Sequence, residues 1–200
     1  VDWVGMSLYY NYGMANENDG TAWREFSMAL DFSDPLRRAE KVVNLARQHG
    51  KPVVITEGGA YKNGSKGEEF AANQVAKEFA ALNMVYPEVK GIVHFDRAIV
   101  EGAKKELHDF SMSEDGVYRR TIMKAIEENP ALVGYGEESG ATWVELGKFS
   151  EKVEDKLLIG AAGWTYFTND MTVTYRLDGK KVAEGSAAPN HYELDASLLT

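Results

Sequence analysis

Two textures share this chain. Up to about residue 130, short apolar runs alternate with segments of helical spacing; beyond about 140, helical periodicity fades and brief strand-like runs take over. Residues 1–8 form a compact run with β-branched and aromatic members, followed by the aromatic loop Tyr9-Tyr10-Asn11-Tyr12-Gly13 and an irregular stretch to Phe32. Ser33 or Asp34 then caps a helix that has Pro35 at its first position, a favoured start. Leu36, Ala39, Val42, Val43 and Ala46 recur at helical spacing, and Gly50 ends the element. Lys51-Pro52 leads directly into the run Val53-Val54-Ile55-Thr56-Glu57, too short for a helix and closed by Gly58-Gly59.

The unit repeats. Residues 67–86 read as a helix with Phe70, Val75, Phe79, Leu82 and Tyr86 near one face, stopped by Pro87. Lys90-Gly91-Ile92-Val93-His94-Phe95-Asp96 is a further strand, and a loop runs on to Asp109-Phe110. A third helix over residues 113–128 is expected to bury Val117, Thr121, Ile122, Ala125 and Ile126 before Asn129-Pro130 closes it. Strands joined by crossovers of this length pair in parallel. Three such strands do not complete a domain.

Gly134-Tyr135-Gly136-Glu137-Glu138-Ser139-Gly140 reads as a linker, which divides the chain into domains at 1–136 and 137–200. Residues 142–149, 156–159, 165–167 and 171–177 read as strands, and Leu177-Asp178-Gly179-Lys180 as a hairpin turn centred on Asp-Gly. Closely spaced strands of this kind predict an antiparallel sandwich. About 60 residues is short against the roughly 100 usual for an immunoglobulin-type sandwich, so an incomplete one is expected.

Composition narrows the chemistry. The 200 residues are 44% hydrophobic and 26% charged, a globular balance, with formal charge −9. That charge argues against nucleic acid and anionic membranes as partners. Cysteine is absent, which excludes disulfides, thiolate metal sites and a cysteine nucleophile. No run approaches the roughly 20 apolar residues of a membrane span. The chain opens on Val1-Asp2-Trp3 with neither initiator Met nor signal peptide, and reads as an excised or processed piece.

Glu57 is the leading candidate for chemistry. A carboxylate at the C-terminal end of a buried parallel strand stands where α/β folds place their active sites. Tyr9, just past the first strand, is within reach to donate its hydroxyl to Glu57 and orient it. The bland alternatives are a solvated loop carboxylate and a packed rim aromatic. His94 stands at the corresponding height on the third strand; a lone strand histidine is commonly structural. Asp96 beside Arg97 reads as a surface ion pair. Tyr9, Tyr10, Tyr12, Trp23 and Tyr61 offer flat faces for sugar rings, with Asn11 and Asn18 for hydroxyls, or else pack the long loops. Phosphate-loop, dinucleotide and His-Glu-x-x-His patterns are absent, and residues 109–116 resemble a calcium loop only superficially, so neither metal nor cofactor is expected. Asn63-Gly64-Ser65 fits a glycosylation sequon and, more simply, a turn.

Together these residues resemble a known family. Val1-Asp2-Trp3-Val4-Gly5-Met6-Ser7-Leu8-Tyr9 resembles the sixth strand of clan A retaining glycoside hydrolases, especially the β-mannanase-like family 26. Residues 51–58 resemble their seventh strand, and residues 90–96 with Asp109-Phe110-Ser111 resemble the eighth strand and its sequel. The resemblance covers about the first 130 residues. It implies the C-terminal three strand-helix units of a TIM (β/α)8 barrel, with Glu57 as nucleophile, Tyr9 as the tyrosine bonded to it, and His94 where the family places a sugar-stacking aromatic. The acid/base glutamate of that family ends its fourth strand, so the N-terminal part of the barrel becomes the missing partner. Val173 to Ala183, then Ala188-Pro189, Tyr192 and Asp195, resemble immunoglobulin-like accessory modules of bacterial polysaccharide hydrolases.

The expectation is therefore a fragment of a secreted or cell-surface bacterial glycoside hydrolase acting on β-mannan or β-glucan, with Tyr10, Trp23, Tyr61 and His94 binding polysaccharide substrate. The alternative is a non-catalytic carbohydrate-binding or adhesion protein on a degenerate barrel.

Overall fold

A computed structural model describes residues 1–10, 35–62, 67–101, 106–112, 116–134, 137, 140–161, 172–186 and 190–198. The expectations for Asn11, Tyr12, Asn18, Trp23, the Ser33 or Asp34 cap, the Asn63-Gly64-Ser65 turn and a strand at 165–167 lie outside the described residues, as does the side chain of Tyr10.

Three parallel strands, β1 (Val4–Tyr10), β2 (Val53–Ala60) and β3 (Val89–His94), lie side by side in chain order. The crossovers carry α1 (Pro35–Gln48) and α2 (Gly67–Val85), and α3 (Val117–Glu127) follows. Helix α1 buries Ala39, Val43 and Ala46 against Leu8, Val53, Ile55, Leu82 and Val89. Gly50 takes φ 59°, the left-handed conformation that ends helices, and Lys51 N–H returns to the Ala46 carbonyl at 2.9 Å. Strand β2 thus starts from a fixed exit.

A second cluster joins Ala60 to Ala72, Val75, Phe79, Tyr118, Ile122 and Ala125. Two expectations shift here. The buried stripe of α3 is Tyr118, Ile122 and Ala125, with Val117 and Thr121 only half-buried. The stripe follows Tyr118 because its large ring reaches the end of β2. Helix α2 is buried around most of its circumference, Gln74, Lys77 and Glu78 included, where one apolar face was expected. Desolvation pushes the Lys77 ammonium down to about 8.

The expected loop after β3 contains an antiparallel hairpin, β4 (Ala98–Glu101) with β5 (Glu106–Asp109). Residues 142–149 do not form the expected strand. They have no regular structure before a 3-10 turn at Leu146–Lys148, held by the Lys148 N–H to Glu145 carbonyl bond and a 2.6 Å Glu145–Lys148 ion pair. Strand β6 (Lys156–Ala161) instead pairs with β9 (Asn190–Asp195), antiparallel.

Strands β7 (Thr172–Leu177) and β8 (Lys180–Ser186) form the predicted hairpin, with Asp178 and Gly179 both at positive φ, 49° and 80°. Tyr175 and Tyr192 meet between the two ribbons with centroids 5.4 Å apart. What is described of this part is two antiparallel ribbons.

Candidate functional site

The helices cover one face of the parallel sheet. On the other, Gly5, Ser7, Thr56 and Val93 are exposed. Side chains alternate along a strand, so Glu57 would share the helix side with Val53 and Ile55. A bulge prevents this. Met6 pairs with Ile55 but Ser7 with Glu57, and on the other flank Ile55 pairs with Ile92 but Gly58 with His94. Seen from β1, Thr56 is the extra residue, and β3 likewise meets one residue too many between Ile55 and Gly58; the Thr56 hydroxyl donates to the Met6 carbonyl at 3.1 Å. Parity is thereby reversed, sending Glu57 to the open face and Gly58 to the helix side. A Cβ on Gly58 would meet the Glu78 carboxylate of α2, so a larger residue there would require that buried side chain to shift. Bulges commonly re-aim a side chain beside functional sites.

Glu57 is exposed, and the Tyr9 hydroxyl donates to its Oε2 at 3.2 Å. Tyr9 lies within β1 rather than past its end, opposite Gly59, and its ring meets Phe110 and Phe95 edge-on at 5.4 and 5.9 Å. Tyr61 joins this cluster through Phe110, with ring centroids 6.3 Å apart. Sequence and structure thus bring Glu57, Tyr9 and Tyr61 to one strand mouth. Tyr10 pairs with Ala60 through its backbone.

His94 stands elsewhere. It shares the helix side with Ile92, its ring lying 5.7 Å from Tyr118 and 6.3 Å from Phe79. Nε2–H donates to the Phe110 carbonyl at 3.0 Å, and the buried Nδ1 accepts no hydrogen bond among the described residues. Desolvation lowers its pKa below the ordinary imidazole value, against the opposing pull of the Phe110 carbonyl and Asp96. The ring is half-buried and packs against two aromatic neighbours on the helix side.

The residues that sequence reasoning missed hold the mouth in shape. Phe95 N–H donates to the Gly58 carbonyl at 2.7 Å, and Lys62 N–H to the Asp109 carbonyl at 2.9 Å. The Lys62 ammonium reaches Asp109 at 3.2 Å and the Ser111 hydroxyl at 3.3 Å. Burial opposes ionisation of Asp109, yet the Ser111 hydroxyl and amide together with Lys62 hold its carboxyl below the usual range. Asp96 is not paired to Arg97 in a described contact; its Oδ1 accepts the Met112 N–H at 2.7 Å. Among the described residues no group of three or more acidic, histidine or cysteine side chains is arranged to hold a metal.

The arrangement presents one oriented, solvent-accessible carboxylate beside aromatic surface at the C-terminal mouth of a parallel sheet. No family model and no curated protein matches the chain. Among solved structures it is similar to an endo-beta-1,4-mannanase from Thermotoga petrophila, at 14% identity and a TM-score of 0.41, over 100% of this chain and 42% of the mannanase. The chain spans less than half the length of that structure.

Proposed function

We propose that Glu57 is the nucleophile of a retaining glycoside hydrolase acting on β-linked polysaccharide of the mannan or glucan type. The observation that carries this is the Tyr9 hydroxyl bond to Glu57 Oε2 across adjacent strand ends. One carboxylate oxygen is thereby oriented, and the other is left for attack. The C-terminal mouth of parallel strands is where barrel enzymes place catalytic groups.

Retaining hydrolysis needs a second carboxyl group about 5–5.5 Å from the first. In this proposal it comes from barrel strands preceding residue 1 in a longer parent, which also cover the open face with Gly5, Ser7, Thr56 and Val93. The Glu57 oxygen bonds to the anomeric carbon as the glycosidic C–O bond breaks, and the second carboxyl gives its proton to the departing oxygen. That carboxylate then takes a proton from water, whose oxygen attacks the same carbon and releases Glu57.

Glu57→Ala in the parent should lower turnover of a β-glycan by at least about a thousandfold, and a 2-fluoro glycoside should label Glu57 by mass. Near-normal hydrolysis by the variant overturns the assignment. A parent that binds polysaccharide, cleaves none and takes no label is instead the non-catalytic binding protein.

A further inference from the structure

Gly58-Gly59 lets neighbours approach Glu57 closely, but it also makes the chain beyond the carboxylate the most permissive backbone in the strand. A diglycine holds its conformation only if something outside it does the holding. On one flank, Phe95 N–H takes the Gly58 carbonyl. Strand β3 ends at His94, so Ala60 has no β3 residue opposite it. Its place is taken by Tyr118 of α3. The Tyr118 hydroxyl accepts the Ala60 N–H at 2.8 Å and donates to the Ala60 carbonyl at 3.0 Å, as a neighbouring strand residue would.

Tyr118 is itself immobilised. It is 0% exposed, with His94 at 5.7 Å and the Lys62 ammonium 5.6 Å over its ring. Desolvation raises its hydroxyl pKa, so it stays a neutral phenol able both to donate and to accept. The β1 ladder, with Leu8, Tyr9 and Tyr10 opposite Gly58, Gly59 and Ala60, holds the other flank, and the Tyr9 hydroxyl holds the carboxylate; Tyr118 and Phe95 close the side that β3 leaves open.

We infer that Tyr118 is a positioning residue for Glu57, acting through Ala60 to fix the diglycine segment; its kinetic meaning rests on the hydrolase proposal, its structural meaning does not. Tyr118 touches no substrate. Its loss lets Gly58-Gly59 relax and moves the Glu57 carboxylate off the Tyr9 hydroxyl.

The test uses the 200-residue chain labelled at Glu side-chain carboxyl carbons, comparing the native protein with Tyr118→Phe and Tyr9→Phe. Tyr118→Phe should speed exchange of the Ala60 amide by about tenfold or more while α1 amides keep their protection. It should also move the Glu57 carboxyl resonance in the direction that Tyr9→Phe moves it. Faster exchange at Ala60 with an unmoved Glu57 resonance would make the contact purely structural and overturn the inference. Should Tyr118→Phe fail to fold, 3-fluorotyrosine at 118 weakens the hydroxyl as an acceptor without removing it; an unmoved Glu57 resonance there has the same consequence. In the parent, Tyr118→Phe should lower kcat about tenfold at unchanged KM. If Glu57→Ala leaves turnover intact while the resonance shift is observed, the hydrolase proposal fails and the positioning role stands.

Discussion

The α/β part and the strands beyond residue 140 are held by different means. The first has two buried apolar clusters, between sheet and α1 and between α2 and α3. Beyond residue 140 no described side chain joins the fully buried apolar set; Leu157, Val173 and Tyr175 are half-buried. Two-stranded ribbons are marginal by themselves in water. The second part therefore depends on where it leans. Trp143 supplies one such place, donating Nε1–H to the Asn129 side chain at 3.1 Å and lying 5.4 Å from His191 of β9. Gly160, the cross-strand partner of His191, has no Cβ to push away Met84 of α2 or the Trp143 ring.

The sharpest way to break the contrast is to hollow each part. Ile122 is 0% exposed in the α2–α3 cluster, and Ile122→Ala should cost about 2–5 kcal/mol, the lost transfer energy plus a cavity. Leu157→Ala on β6 should cost under about 1 kcal/mol, because a half-exposed site closes over or fills with water. Denaturant melts of both variants decide it. Equal losses would mean that the ribbons own a core as tight as the sheet's.

Next in size is the joint. Asn129 is 1% exposed; its Nδ2 donates to the carbonyls of Phe79 and Ala80 and to Asn83 Oδ1, while Oδ1 accepts from Trp143 and the Ala131 amide. Asn129→Ala strands several buried groups at once and should cost about 1–3 kcal/mol. It should also raise proteolysis between residues 130 and 142, since the ribbons lose a tether. Cleavage unchanged alongside a full loss of stability would confine Asn129 to the α/β part.

The elements of the α/β part were legible because periodicity is written along one chain. Ala39, Val43 and Ala46 at helical spacing, Pro35 at the first position and a parallel order of three runs all follow from local physics. So does the Asp178-Gly179 hairpin, whose two positive φ values suit those residues. Glu57 and Tyr9 could be placed at strand ends, but not on a face. That depends on Thr56 being surplus, a property of pairing with Ser7 and His94 partners far away in sequence. The side on which His94 stands was illegible for the same reason, since it follows from the register of β3. Tyr118 gave no signal: an aromatic one residue from a plausible apolar stripe looks like helix surface. Residues 142–149 looked like a strand because Thr142, Val144 and Leu146 alternate, yet Leu146 is 72% exposed and β6 chose β9.

The smallest expected effect is on the pH dependence of the joint. His191 stacks on Trp143 with its Nε2 buried and without a hydrogen-bond partner among the described residues. Desolvation lowers its pKa below the ordinary 6.5, with Glu128 at the end of α3 pulling the other way. The undocked or unfolded state therefore binds the proton more readily. Stability from this contact is complete above pH 6.5 and declines as the pH falls from there to the depressed docked value, below which it declines no further. His191→Phe keeps an aromatic face for Trp143 and removes the titration. Between pH 7.5 and 5 its melting temperature should fall less than that of the native chain, and the difference should follow a single-proton curve. Parallel pH profiles for the two proteins would show that the ribbons are not docked on a neutral His191, and would leave Asn129 and Trp143 to carry the joint.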